Sequence, residues 1–218
     1  MYKQIEQLSP EWWAVKVGKV SGTRFGQLIS GRENILVDEL ANEIMDGFIE
    51  QDDFVTGDMQ FGIDNEPIAI DLYEKKIGMK FKRGGVILSD INPTLHMASP
   101  DAISEDETII VEVKCTTHGK TQLNRFRKGV DSKYLPQIIN YFAVSDKVKE
   151  VHWISYCPFR PERPLVVVII TRDTEIERKE TKTRGLEITT IQGKVNDGLA
   201  SMPVLQAEVQ TLITNFKF

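Results

Sequence analysis

The chain has 218 residues and is 41% hydrophobic, enough for one large domain or two small ones with a real core. A net charge of −5 argues against a generally adhesive nucleic-acid binder, so any contact with DNA must come from a local basic patch. The two cysteines, Cys115 and Cys157, have no zinc or iron–sulfur spacing and read as buried thiols, and with neither a signal peptide nor an apolar run of about 18 residues a soluble cytosolic protein is expected.

Ser9-Pro10-Glu11 reads as a helix start, an N-cap serine followed by proline and an acid, with Trp12, Trp13, Val15 and Val17 as the helix's apolar body and Gly18 as its end. Ser21 reads as the N-cap of a second helix through Ile29. Hydroxyls at that N-terminus, near Lys16 and Arg24, fit ordinary capping or an anion site. Ile35 to Ile49 carries apolar residues at helical spacing. Gln51 to Gln60 reads as a polar loop, and Phe61 to Ile77 as a helix ended by Gly78. Pro67 fits only a first turn, which places Glu66 at the helix start, as a dipole acid or a site carboxylate.

Met79 to Leu88 reads as a strand with Gly84-Gly85 as a bulge or kink. The most informative stretch follows, Leu95 to Cys115. Ser104 to Glu107 is a polar turn between two apolar runs, and Ile109 to Lys114 is β-branched and alternating, so a hairpin is expected. Period-two alternation puts Glu112 and Lys114 on one face and Ile109, Val111 and Val113 on the other, toward a core. Asp101, with ten residues between it and Glu112, completes an acid–acid–lysine set. Two carboxylates on adjacent strands can hold Mg²⁺, and a lysine beside them can position water or stabilise developing charge during phosphodiester hydrolysis. The alternative is a cross-strand ion pair.

Beyond the motif, Thr121 to Gly129 and Ser132 to Ser145 read as helices, with Tyr134, Gln137 and Tyr141 on one face of the second. Lys120, Arg125, Arg127, Lys128 and Lys133, opposed only by Asp131, form a basic run, either a solvated face or a DNA surface. Val151 to Tyr156 reads as a strand, Pro158 to Pro164 as a loop, and Leu165 to Thr171 as an apolar, central strand. The tail from Arg172 reads as charged and mostly helical, ending in a helix near Leu205 to Phe216.

In this order and at these spacings the residues resemble the phage lambda exonuclease group of the PD-(D/E)xK nuclease superfamily, over about residues 10 to 171. The resemblance rests on Ser99-Pro100-Asp101 and Glu112-Val113-Lys114-Cys115. Trp13, Gly18, Ser21 to Thr23, Phe61-Gly62 with Glu66, Phe126-Arg127, Gly129, Tyr134 and Gln137 extend it. It implies an α/β fold, an α+β mixed sheet flanked by helices, with a restriction-endonuclease-like core. The expected layout is a single domain over 1–218: a nuclease core at about 61–171, an N-terminal helical part at 1–60 and a C-terminal helical tail at 172–218.

The resemblance further implies a Mg²⁺-dependent, 5′→3′ double-strand DNA exonuclease acting from 5′-phosphorylated ends, with two metals and Mn²⁺ as a substitute. It would release 5′-mononucleotides and leave a 3′ overhang for a single-strand annealing recombinase, as a phage- or prophage-encoded homotrimer ring in the cytoplasm of a bacterial host. Asp101 and Glu112, with the Val113 carbonyl, would hold metal. Lys114 would act on the attacking water, Glu66 would be an additional acid, and Gln137 and Tyr134 would line the site. Lys16, Thr23 and Ser99 would hold the terminal 5′ phosphate. Met59 falls at the family's apolar wedge, and Arg125, Arg127 and Lys128 fall in the DNA-binding run. Lys16 stands where arginine is expected, a point charge in place of a planar fork, and Arg24 is the neighbouring cation that would assist it. The alternatives are an endonuclease of the same superfamily, or a non-catalytic DNA-binding module on the same fold.

Overall fold

The computed structural model describes residues 1–50, 56–178 and 187–217. A short strand β1 (Tyr2–Lys3) leads to α1 (Pro10–Lys16), which starts as its sequence dictates: Ser9 accepts from the Trp12 amide, and Pro10 sits where a missing N–H costs nothing. A 3-10 turn (Gly22–Arg24) runs into the single-turn α2 (Phe25–Leu28). Ser21 makes no capping hydrogen bond there, contrary to the sequence expectation.

Helix α3 spans Asn34–Asp46 and ends at Gly47, whose φ of 76° suits glycine. Helix α4 (Gly57–Ile77) begins earlier than expected, capped by Thr56, so the loop reading fails for residues 57–60, while residues 51–55 lie outside the described chain. Pro67 therefore sits inside α4, and Glu66 is mid-helix. Pro67 and the residue one turn before it, Ile63, are both exposed, so the carbonyl left without its N–H partner lies on the solvent side.

The expected strand at 79–88 is two strands in two sheets. β2 (Lys82–Arg83) and β3 (Val86–Leu88) are parted by Gly84 and Gly85, both at positive φ, so the glycines divide the run rather than bulge it. β4 (Met97–Ala98) completes a three-stranded sheet in the order β1-β3-β4. Ser99-Pro100-Asp101 then crosses to the second sheet, where β5 (Ala102–Ile103) pairs antiparallel with β6 (Ile109–Cys115).

Helix α5 (Gly119–Lys128), a 3-10 turn (Ser132–Tyr134) and α6 (Leu135–Val144) connect β6 to its parallel neighbour β7 (Glu150–Tyr156), the helical crossover that parallel strands require. Pro136 lies in the first turn of α6, where the helix begins rather than kinks.

β8 (Leu165–Ile170) pairs antiparallel with β7 and closes the order β2-β5-β6-β7-β8. It was expected to be central because it is wholly apolar. It is an edge strand among the described residues, and Ile169 is 55% exposed. The tail opens not with helix but with the hairpin β9 (Glu175–Arg178) and β10 (Glu187–Thr190), followed by α7 (Ile191–Phe216), longer than expected.

Both faces of the five-stranded sheet are covered. On one, Val111, Val113, Ile154 and Tyr156 pack under Ala69, Ile70 and Tyr73 of α4. On the other, Ile110 and Trp153 join α6, α3 and Val195, Met202, Leu205 and Val209 of α7 in the main core. Each fully buried leucine or phenylalanine here contributes roughly 2 kcal/mol. Rigid packing on both faces fixes the strand ends that carry the motif.

Candidate active site

The β5–β6 register puts Ala102 opposite Val111, so Asp101 and Glu112 come next to each other at the start of one strand and the middle of its neighbour. Asp101 Oδ2 accepts the Val113 amide at 2.7 Å, and the Asp101 carbonyl accepts Gly84 N–H at 2.7 Å. Glu112 is wholly buried, because its face of β6 turns to α6 and the main core. The Tyr141 hydroxyl donates to Glu112 Oε2, and the Lys114 ammonium pairs with Oε1, an oxygen with no other polar partner. Lys114 also lies 5.3 Å from the Tyr134 ring centre.

The electrostatics follow from crowding. Burial, then Glu112 and Glu66, raise Asp101 well above the usual carboxylate range. Burial, then Glu112, push Glu66 up to about 7, with Lys114 and Arg83 opposing. For Lys114 burial disfavours the ammonium, but Glu112 and Asp101 outweigh it and hold the proton on. Tyr141 is likewise kept protonated by burial, Glu112 and Asp101, and so serves as a donor.

The described residues hold no ready-made cage of three His, Cys, Asp or Glu. Mg²⁺ does not need one, since it is commonly held by one or two carboxylates and keeps several waters. Asp101 and Glu112, with Glu66 near enough to raise Asp101's proton affinity, fit that ion: the repulsion among them is what a dication relieves. The Val113 contact visible here is its N–H to Asp101.

Two cavities flank this set. The larger, about 640 Å³, is lined by Glu66, Lys114, Tyr134, Thr121, Lys133 and, at its apolar rim, Met59 and Leu8. The smaller, about 270 Å³, is lined by Asp101, Ser99, Lys16, Ser21, Thr23 and Gln137 among others. Tyr134 and Gln137, expected on one face of one helix, thus serve different cavities. Gln137 donates to the Tyr141 hydroxyl at 3.2 Å, and Tyr134 accepts from Arg125 at 3.3 Å.

Lys16 is held over both tryptophans of α1, 4.6 Å from the Trp12 ring centre and 4.9 Å from that of Trp13. Burial and then Arg24 lower its pKa. Arg24 is committed elsewhere: it pairs with Glu39 and with buried Glu43, whose Oε2 also accepts Gly18 N–H at 2.9 Å. It therefore braces the 18–24 loop and is not the assisting phosphate donor expected. Val20 pins that loop to the strand before the motif, donating to the Leu95 carbonyl at 2.7 Å and accepting Met97 N–H at 3.0 Å.

Ser99 Oγ gives its proton to the Gly85 carbonyl at 3.0 Å and accepts from Trp12 Nε1 at 2.9 Å, so it faces the small cavity mainly as an acceptor.

The basic run divides. Arg125 is only 4% exposed and bonds Asp131, the Lys114 carbonyl, Ser155 and Tyr134. It is a strut behind Lys114, which corrects its reading as part of an exposed DNA-binding surface. Arg127 and Lys128 are exposed, and Arg127 with Lys120 and Lys133 lines a neighbouring groove of about 780 Å³.

Sequence reasoning left Tyr141 out of the site residues. Its position four residues after Gln137, on the same helix face, was the available signal.

Residues 11–148 match the model of the YqaJ-like viral recombinase domain family. No curated protein matches the chain by sequence. Among solved structures, an alkaline exonuclease (LHK-Exo) from Laribacter hongkongensis superimposes with a TM-score of 0.70 at 23% identity, covering 96% of this chain and 98% of that one. The same exonuclease in complex with dAMP gives a TM-score of 0.73 at 21% identity over the same shares. A phage related exonuclease from Haemophilus somnus 129PT gives 0.56 at 15% identity, over 91% and 96%. These likenesses establish a shared fold across nearly the whole chain. With more than half of its length matched by one family, the chain belongs to the YqaJ-like viral recombinase domain family, and its fold is that of the lambda-exonuclease-like proteins.

Proposed function

We propose that this chain is a Mg²⁺-dependent DNA exonuclease that digests one strand of linear duplex DNA 5′→3′ from 5′-phosphorylated ends, releasing 5′-mononucleotides. Family membership and the exonuclease fold support the coarse reading; fold alone does not fix activity, so the finer one is argued from the site. The observation that carries it is the meeting of Asp101, Glu112 and Lys114 between two cavities.

Asp101 and Glu112 would hold the metal, with the Val113 carbonyl and Glu66 as supplementary donors. The ion, one or two of Mg²⁺ with Mn²⁺ as substitute, supplies Lewis-acid polarisation of the phosphodiester and a more acidic water. The chain's own residues do the positioning. Tyr141 orients Glu112 through its hydroxyl, and Arg125 and Tyr134 steady Lys114. Lys114, kept protonated, orients the attacking water and donates to charge developing on the phosphoryl oxygens.

Lys16 and Thr23, with Ser99 as the back wall, receive the terminal phosphate in the small cavity. Met59 meets the end base pair, and Arg127 and Lys128 neutralise backbone phosphates. The resemblance in the motifs further supports a homotrimer ring, an annealing recombinase acting on the 3′ overhang, and a place in phage recombination within the bacterial cytoplasm.

The test is digestion of linear duplexes with 5′-phosphate or 5′-hydroxyl ends, and of a closed circle, with Mg²⁺ supplied. Mononucleotide release from phosphorylated ends with the circle untouched is expected. Cleavage of the circle would point to an endonuclease, and no cleavage of any substrate with metals varied would overturn the reading.

A further inference from the structure

Two non-glycine residues among those described have a positive φ, Leu8 at 65° and Glu107 at 64°. Glu107 sits in the turn of the β5–β6 hairpin, where a left-handed residue is ordinary. Leu8 is not so easily explained. It is the third residue of a four-residue turn, Glu6 to Ser9, closed by Ser9 N–H donating to the Glu6 carbonyl at 3.3 Å. A positive φ at that position is met by glycine or asparagine at little cost and by leucine only under strain. Burial does not compensate, since Leu8 is 57% exposed. A strained backbone that places an exposed apolar side chain is a pointer to function.

Its surroundings say which. Leu8 lines the same cavity as Glu66 and Lys114, together with Met59, Phe61 and Ile63 from the first turns of α4. Met59 and Ile63 are themselves exposed. One rim of the cavity is thus apolar, while Thr116, Thr121 and Lys133 line it with polar and cationic groups. The turn is also anchored to the motif: Gln7 donates through Nε2 to the carbonyl of Pro100, the residue before Asp101, at 3.0 Å. Ser9, next in the turn, caps α1, the helix that carries Lys16. The position of Leu8 is therefore set by the elements that hold the metal-site carboxylate and the anion-binding lysine.

We propose that Leu8 contacts the terminal base pair of duplex DNA and helps to part it, acting from the N-terminal segment beside Met59 of α4. This rests on the exonuclease reading above. When the end pair opens, the parted base loses its stacking partner, and an apolar side chain fixed at the cleft mouth replaces part of that contact. A fixed side chain does so with little ordering of its own, which is what the strained turn provides.

The experiment compares wild type, Leu8→Gly and Leu8→Met on two linear duplexes with 5′-phosphates, one fully paired and one with its last two pairs mismatched. Leu8→Gly relieves the left-handed strain, so its Tm should equal or exceed that of wild type, and loss of folding does not confound the result. Its kcat/KM on the paired end should fall by about tenfold, the rate equivalent of one lost base-stacking step, with less than about a twofold change on the mismatched end. Leu8→Met keeps an apolar side chain and should retain most of the paired-end rate. An equal loss on both ends, or no loss on the paired end, would overturn the role. Failure of the wild-type chain to digest either duplex would remove the exonuclease reading, and this role with it.

Discussion

The two cavities that flank the Asp101–Glu112–Lys114 set differ in what lines them. The larger mixes charges: Glu66, which burial and then Glu112 raise to about 7, and Asp58 are set against Lys114 and Lys133. The smaller gathers donors around a half-buried, cation–π-held lysine, with Thr23 and Ser21 beside it and no carboxylate but Asp101. The carboxylates that crowd one another between them, Asp101, Glu112 and Glu66, are completed by a cation, and a cavity of hydroxyls and an ammonium by an anion. On the proposed function, the metal would sit among these carboxylates and the terminal phosphate in the smaller cavity, with Asp101 between them.

The largest expected effect tests the first half of that division. Asp101→Asn keeps an acceptor for the Val113 amide and removes the charge that repels Glu112 and Glu66. Without metal the variant should be at least as stable as wild type. With Mg²⁺ at about 100 times Kd, wild type should gain roughly 2.7 kcal/mol, a Tm rise of several degrees, and the variant almost nothing. Digestion should fall by on the order of 10³ or more. A Mg²⁺-induced Tm rise of the same size in Asp101→Asn, read by calorimetry, would break the comparison, since the carboxylates would then not be what the metal completes.

How much of this was legible in the sequence depends on the range of the signal. The acid–acid–lysine set was readable because strand alternation is local, and the structure puts Glu112 and Lys114 on one face of β6 as period two requires. What failed was set by partners far along the chain. The apolar run at 165–170 reads as a central strand, but apolarity reports burial of faces and not of edges, and α5 and the 158–164 loop lie alongside this edge strand. Arg125 reads as one of five cations in a surface run. Only the return of Ser155 and Asp131 to its side, through β7 and the α5–α6 connection, makes it a buried strut. Pro67 misplaced the start of α4 because an exposed proline inside a helix costs less where solvent serves the freed carbonyl.

A smaller, pH-dependent effect comes from the wall of the donor cavity. Asn140 lines that cavity, and its Nδ2 donates to the Met97 carbonyl at 3.0 Å, which leaves Oδ1 to accept from His96 Nε2 at 2.7 Å. His96 is therefore the neutral Nε2–H tautomer, stacked on Phe25 at 5.2 Å. Burial lowers its pKa to about 4 from 6.5, with Asn140 opposing. The unfolded chain binds a proton in this window and the folded one does not, so stability falls as pH drops below 6.5 and continues to fall until about 4. At pH 5 the loss from this residue should be about 2 kcal/mol. His96→Gln keeps a donor for Asn140 without titrating, so its denaturant midpoint should change less between pH 7.5 and 5 than that of wild type. Equal slopes would mean that the wall is not held neutral in this way.

The smallest effect sharpens the second half of the comparison. Lys16→Ala should reduce the preference for 5′-phosphate over 5′-hydroxyl ends by about tenfold, the range of one charge-assisted hydrogen bond, while leaving the Mg²⁺-induced Tm rise intact. Thr23→Val should cost less, since it removes a neutral donor. Ser99→Ala should cost least in this ratio, because the Ser99 proton is already given to the Gly85 carbonyl and the serine would have to release it to serve a phosphate. The order Lys16, Thr23, Ser99 follows from which side chains still have hydrogen to give. A Ser99→Ala enzyme that loses end discrimination as fully as Lys16→Ala would show that the bond to Gly85 opens on binding, and that the donor cavity is assembled by its ligand instead of standing ready for it.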